Sequence, residues 1–211
     1  MSFARKFLAG MLLASGPAAA WAAPALPAPQ EFYFDADAAA APVQVVQGEG
    51  DELVSQLLRQ RERGRKSLEA TVQLAGVAIG QGRAELGQQL YAEALQAAPA
   101  ASPSGRMVRW NHGWDLYRQG QADAALTQWQ EAASGLRGNP SWVPPTYALA
   151  LWQIGQKDDA VKWYAAAVRT EPARWSTSAN YAALLPTWRD SERETLAQVQ
   201  KAWATNPPAW P

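Results

Sequence analysis

Three glycines punctuate this chain at nearly even intervals. Gly82, Gly120 and Gly155 each follow one apolar-periodic stretch and precede another, at spacings of 38 residues (82 to 120) and 35 residues (120 to 155). Apolar residues three and four apart form one face of a helix, and a glycine after the last turn lets the chain stop and reverse. The pattern confines the chain to helical hairpins laid side by side. Two helices that meet in a hairpin need small residues where their backbones touch and large ones where they interlock. Counted from each glycine, Ala75, Gly113 and Ala148 take the small position on the first helix. Gly87, Ala125 and Ala160 take it on the second, and Ala94, Ala132 and Ala167 supply a further one. Tyr91, Trp129 and Tyr164 are the wedges between helices, and Pro99, Pro140 and Pro172 close the hairpins.

Two departures break the even spacing. The segment Ala100 to Gly105 is a turn-rich insertion, and Gly135 to Asn139 lengthens the loop before Pro140. Extending the frame by another 35 residues from 155 reaches Asp190 where a turn glycine is expected. The same step lands on Ala183, Ala202, Pro207 and, at the wedge position, Val199. Pro186 cuts the first helix of this last hairpin short, and Thr195 replaces the small residue of the second. Ser191 and Glu194 form a candidate capping box ahead of Leu196, Val199 and Trp203.

With a unit of roughly 34 residues, these residues resemble the tetratricopeptide repeat from about Ser67 to Pro207. Met107 to Pro140 is the best-formed unit. Sel1-like hairpins share a similar period. The resemblance implies an all-α fold, a right-handed superhelical solenoid of helical hairpins with terminal capping helices. Its units are 68–101, 106–140, 141–174 and a degenerate 176–207 that closes the array. It also implies that the first helices line a concave groove. Carried over position by position, the groove residues are Trp110, Trp114, Tyr117 and Arg118 in the second unit. In the third they are Trp142, Leu149, Trp152 and Gln153, and in the fourth Asn180, Leu184 and Trp188; the first unit offers Val72, Gly76 and Ile79. Relatives that grip a C-terminal carboxylate use Lys and Asn at such positions. Aromatics stand there in this chain, which argues against a carboxylate clamp.

Three uses of the aromatics are open. They can receive an extended or Pro-rich peptide, with Arg118 bonding an acidic group. They can stack on sugar rings. They can instead pack against the chain's own N-terminal segment. Peptide binding asks that Asn180 and Gln153 reach a backbone. Trp129 and Trp163 fall on second helices and are read as packing residues.

The first 22 residues have the parts of a secretory signal: Arg5 and Lys6, the apolar run Phe7 to Ala14, and Ala20-Trp21-Ala22 at the cleavage point. The run is shorter than the roughly 20 residues that span a bilayer, so cleavage after Ala22 is expected rather than an uncleaved anchor. The expected location is the periplasm, with secretion as the second option. Residues 23–50 form a Pro/Ala-rich leader carrying Phe32-Tyr33-Phe34 and Val43, Val45 and Val46. It either stays mobile or docks in cis. Residues 51–66 form an N-terminal helix, capped by Asp51 and ended by Gly64, with a basic cluster from Arg59 to Lys66. Residues 208–211 are a tail.

Composition excludes several functions. Lys plus Arg equals Asp plus Glu at 19 each, so nothing points to nucleic acid. Cys is absent and there is one His, which excludes thiolate and multi-histidine metal sites. His112, beside Gly113, reads as structural. Asp158-Asp159 and Glu192-Glu194 sit at helix starts, where the helix dipole accounts for them. No nucleophile elbow or phosphate loop is present. The expectation is a non-enzymatic scaffold or adaptor of the cell envelope, without cofactor or metal, that binds a peptide or protein partner. The alternative is a glycan or peptidoglycan-binding module.

Overall fold

The computed structural model describes residues 26–134 and 136–209. The expected signal segment 1–22, the start of the leader and the end of the tail lie outside them. The described chain is all-helical, with one isolated bridge between Asp35 and Pro140. Its helices are α1 (Gly50–Arg63), α2 (Ser67–Gly80), α3 (Ala84–Ala97), α4 (Pro103–Arg118), α5 (Ala122–Ser134), α6 (Val143–Gln153), α7 (Lys157–Thr170), α8 (Pro172–Trp175), α9 (Tyr181–Leu184) and α10 (Asp190–Thr205).

α2 packs on α3, α4 on α5 and α6 on α7, each pair folded back across a tight turn. Gly82, Gly120 and Gly155 sit in those turns at φ of 77°, 79° and 86°, a conformation that costs an L side chain energy and glycine nothing. The pairs interlock where the sequence places small and large residues. Tyr91, Trp129 and Tyr164 are 1%, 0% and 0% exposed. The facing Ala75, Ala125, Ala148 and Ala160 are fully buried. At Gly113 the approach is closest, because a Cβ there would run into the Trp129 indole.

Two apolar clusters result. One gathers α1 to α3 around Leu57, Val72, Tyr91 and Val108. The other runs from Trp110 through α5, α6 and α7 to Leu196 and Val199 of α10. α4 contributes to both and joins them. Val199, reached by extending the frame, is fully buried. The first helix expected ahead of it is reduced to the four residues of α9, just before Pro186.

Two caps differ from expectation. α1 begins at Gly50 with Glu49 as N-cap, and Asp51 lies in its first turn, where the helix dipole favours it. α10 begins at Asp190, so Ser191 and Glu194 do not form its capping box. Glu192 takes that part, its carboxylate accepting from the Arg189 N–H at 2.7 Å. The helix starts early because Glu192 is also held by Arg118 of α4, which fixes the first turn from outside.

Residues 26–46 dock. They form a strap that runs from α7 past the α5–α6 loop to α4 and α2. Tyr33 is 4% exposed, set edge-on against Trp163 at 5.9 Å, and its N–H donates to Thr170 Oγ1 at 3.1 Å. Phe32 and Phe34 point away and stack on each other in solvent. Asp35 then fills the lengthened loop before Pro140. Its N–H donates to Asn139 O at 3.1 Å, its carbonyl accepts from Ser141 N–H at 3.0 Å, and its carboxylate accepts from Asn139 N–H at 2.6 Å. Gly138, at φ 122°, leaves the space that this carboxylate occupies.

Gly113→Ala is expected to cost about 1–3 kcal/mol, the usual penalty of overpacking a closed core, and to lower the urea midpoint. Gly80→Ala, which has open space around its Cβ, is expected to be neutral or stabilising by up to ~1 kcal/mol. Equal midpoints for the two variants would remove the close approach of α4 to α5.

Candidate functional site

The face that carries most of the sequence-selected aromatics is made by α4, the start of α6 and the segment before α10. α4 is fixed at its head by Ser102, whose hydroxyl accepts from Gly105 N–H at 3.0 Å, and by Pro103 in the first turn. From there Trp110, Trp114 and Arg118 follow at four-residue steps and share one side of the helix. Trp110 is 7% and Trp114 is 4% exposed. Trp114 meets Trp110, Trp129 and Trp188 edge-on, with ring centroids 5.9, 5.1 and 4.8 Å away. Trp188, itself 7% exposed, comes from the last segment of the chain and closes over Trp114. Arg193 of α10 donates to the Leu185 carbonyl at 2.9 Å and to that of Trp188, which holds this closure in place.

Arg118 lies 5.2 Å over the Trp114 ring and donates to both carboxylate oxygens of Glu192, at 2.8 and 3.4 Å. The acidic group expected of a ligand is thus supplied by the chain itself. Glu192 is 3% exposed, and a buried carboxylate without such a partner is strongly disfavoured. Tyr117 is half-buried beside Trp114 and Trp129. Burial, reinforced by the charge of Glu192, pushes its hydroxyl up to about 12. Trp142 donates its indole N–H to Asp37 of the strap at 3.3 Å. That carboxylate also meets Arg106 at 3.4 Å, in a pair that is 13% and 3% exposed on its two sides.

The remaining selected residues stand apart. Trp152 donates to Gln198 at 3.1 Å and carries the Lys157 ammonium 3.7 Å over its ring. Gln153 is exposed, and Asn180 is exposed beside Arg174 and Leu184 on a separate shallow depression. Neither makes a hydrogen bond to the strap's backbone among the described residues. Two other amides do. Asn111 accepts from Val43 N–H at 3.1 Å and donates to the Ala41 carbonyl at 3.0 Å. Gln73 accepts from Val45 N–H at 2.7 Å and Val46 N–H at 3.1 Å, and donates to the Val46 carbonyl at 2.7 Å. Gln73 and Asn111 occupy the same place before Gly82 and Gly120, so the spacing that finds the wedges also pairs these amides. That shared step, nine residues before the turn glycine, is the sequence signal that marks them.

A cavity of about 250 Å³ opens between Pro42 of the strap, Trp110, Trp114, Asp115, Arg118 and Thr187. The indole nitrogens of Trp110 and Trp114 are buried with no acceptor from the protein. The Asp115 carboxylate accepts from Tyr91 Oη at 2.6 Å, and burial raises its pKa. Among the described residues, no three His, Cys, Asp or Glu side chains gather as a metal would require, and no helix is long and apolar enough to cross a membrane. Comparison with protein-family models, curated proteins and solved structures finds no match.

His112 backs this face from inside. It stacks on Tyr91 at 4.2 Å, and its Nε2 lies 2.7 Å from Gln88 Oε1. Burial lowers its pKa to about 4, with the charge of Arg109 acting in the same direction. An unfolded histidine titrates near 6.5. Below that value the unfolded chain takes up a proton that the folded chain refuses until about pH 4, so stability falls through this window as pH drops. Above pH 6.5 the group contributes nothing. Asp115, raised by burial, works in the opposite sense. Urea midpoints at pH 7.5 and 4.5 are expected to show wild type losing about 2–3 kcal/mol more than His112→Asn. Parallel losses in the two proteins would show that the imidazole titrates normally.

Proposed function

We propose that this protein is an exported, non-enzymatic scaffold of the cell envelope, TPR-like in build, that holds an extended peptide of a protein partner across α2, α4 and α6. One observation carries the reading. A non-helical segment, bent at Val45–Val46, already lies across α2 and α4, held by side-chain amides at matching positions of consecutive hairpins. Amides that bond main-chain N–H and C=O groups accept any backbone of that course, and neighbouring apolar contacts then select the sequence. The strap occupies that seat in the free chain. Arg118, Trp142 and Trp188 keep the face rigid, and rigidity lowers the entropy cost of holding a peptide.

A second reading, glycan binding, rests on a different observation. Trp110, Trp114 and Asp115 border one small cavity. An aromatic ring stacks on a sugar face and a carboxylate accepts from its hydroxyls, which suits that mixture.

The readings separate by substitution. Peptide holding predicts that Gln73→Ala weakens capture of envelope proteins, in cells carrying a photo-crosslinker at exposed Thr187 beside the strap, by about tenfold, the worth of ~1.4 kcal/mol in lost hydrogen bonds. Glycan holding predicts that Gln73→Ala is silent, whereas Asp115→Asn abolishes a tryptophan fluorescence response to cell-wall fragments. If neither variant changes either readout, both proposals fall. Export predicts a mature N-terminus at Ala23, read by N-terminal sequencing of the protein recovered from cells. Retention of Met1 would refute it.

A further inference from the structure

The two ends of the strap are held in different ways. Residues 33–37 are locked by the buried Tyr33 ring, the Asp35 bonds to the α5–α6 loop and the Asp37 contacts with Arg106 and Trp142. Residues 41–46 have no such anchor. Ala41, Pro42 and Gln44 are exposed, and Val43, Val45 and Val46 are only half-buried. Val43 and Val46 rest against the cluster containing Leu53, Val72 and Val108. Their other hold on the body is the pair of amides, Gln73 and Asn111. The connection to α1 passes through Gly48 and Gly50, at φ of 133° and 61°, and neither would meet a neighbour with an added Cβ. Such a segment, with little buried surface between two glycines and a fixed anchor, opens at low cost while the rest stays folded.

Its chemistry also describes what would replace it. Gln73 and Asn111 bond only main-chain atoms of the strap, so they ask for a backbone that bends as Val45–Val46 does and for no particular side chain. The two half-buried valines, three residues apart, ask for β-branched apolar side chains. Ala41 to Gln47 carries no charge, and the amides that face it are neutral. A charged residue at either valine position would lose hydration against the apolar cluster.

Building on the peptide-holding reading above, we propose that residues 41–46 are an intramolecular stand-in for the partner. The partner's segment is uncharged, takes the same bend and carries Val-like residues three apart, and it binds by displacing this part of the strap while Tyr33 to Asp37 stay seated. A tethered segment competes at an effective concentration on the order of 1 mM. For a segment with an intrinsic dissociation constant of about 0.1 mM or below, the occupied face therefore binds a free peptide at least about tenfold more weakly than the open face does.

The test uses the full chain and a fluorescein-labelled peptide with the sequence of residues 38–47. Val43→Asp combined with Val46→Asp unseats the stand-in and leaves its anchor intact. Fluorescence anisotropy is expected to show this variant binding the peptide at least tenfold more tightly than wild type, and Gln73→Ala in that background removing about tenfold. A second measurement needs no variant: saturating peptide is expected to speed hydrogen exchange at the Val45 and Val46 amides of wild type, the donors to Gln73. Equal affinities, or unchanged exchange at saturation, would overturn the stand-in. A library of extended peptides screened on both proteins distinguishes the two levels. Peptides that bind wild type and variant equally leave peptide holding in place and remove the stand-in. A variant that melts as wild type does and binds no peptide removes both.

Discussion

The contact on which the rest of the molecule depends is the seating of Trp129 against Gly113. Without a Cβ at 113 the indole lies flat in the α4–α5 seam, and its N–H donates to the Trp110 carbonyl at 3.2 Å. That bond reaches main chain inside a helix and fixes the rotation of α4 relative to α5. The rotation sets where Trp114 meets Trp188, where Arg118 meets Glu192, and where Asn111 meets the strap. A buried aromatic that also satisfies its polar atom specifies one arrangement more sharply than apolar packing alone.

From that seam, order passes outward in two directions. Toward the C-terminus, Glu192 serves the first turn of α10 and the guanidinium on α4 at once. A helix whose own first partner, α9, is only four residues long is thereby held in register. Toward the N-terminus, the strap adds surface that the hairpins leave uncovered. Asp37 brings a carboxylate to Arg106 and Trp142, and Tyr33 fills the corner at Trp163 and Thr170. Tyr33 and Asp37 bury their side chains, whereas those of residues 41–46 are exposed or half-buried, and that difference divides a structural half of the strap from an exchangeable one.

The helical order was legible because it is local. Periodicity located α2 to α7, the turn glycines and the wedge residues, for each follows from side-chain size at a fixed step along one helix. The truncation of α9 was legible from Pro186 for the same reason, since a proline acts on its own turn. The cap of α10 was not. Ser191 and Glu194 have suitable chemistry, but Glu192 is drawn to a guanidinium 74 residues away in sequence, a pull that no local window contains. The longer loop at Gly135 to Asn139 was visible only as an irregularity; its purpose, seating Asp35, depends on a contact across 104 residues.

The candidate site divides along the same line. The amino-acid sequence by itself determined that the chain is helical, where its hairpins turn, which residues wedge between helices, and that tryptophans fall on both first and second helices. Tertiary structure alone decided that Trp110, Trp114 and Trp188 close on one another, that Arg118 is paired internally, and that Gln73 and Asn111 are the residues that hold a backbone. The reason is physical. A helix face is fixed by spacing within a few residues, whereas its covering depends on which distant segment gains most by burying its own apolar and polar groups there. In this chain that segment is its own leader, and the choice is made by Tyr33 and two aspartates whose partners lie on α4, α6 and α7 and in the loop before α6.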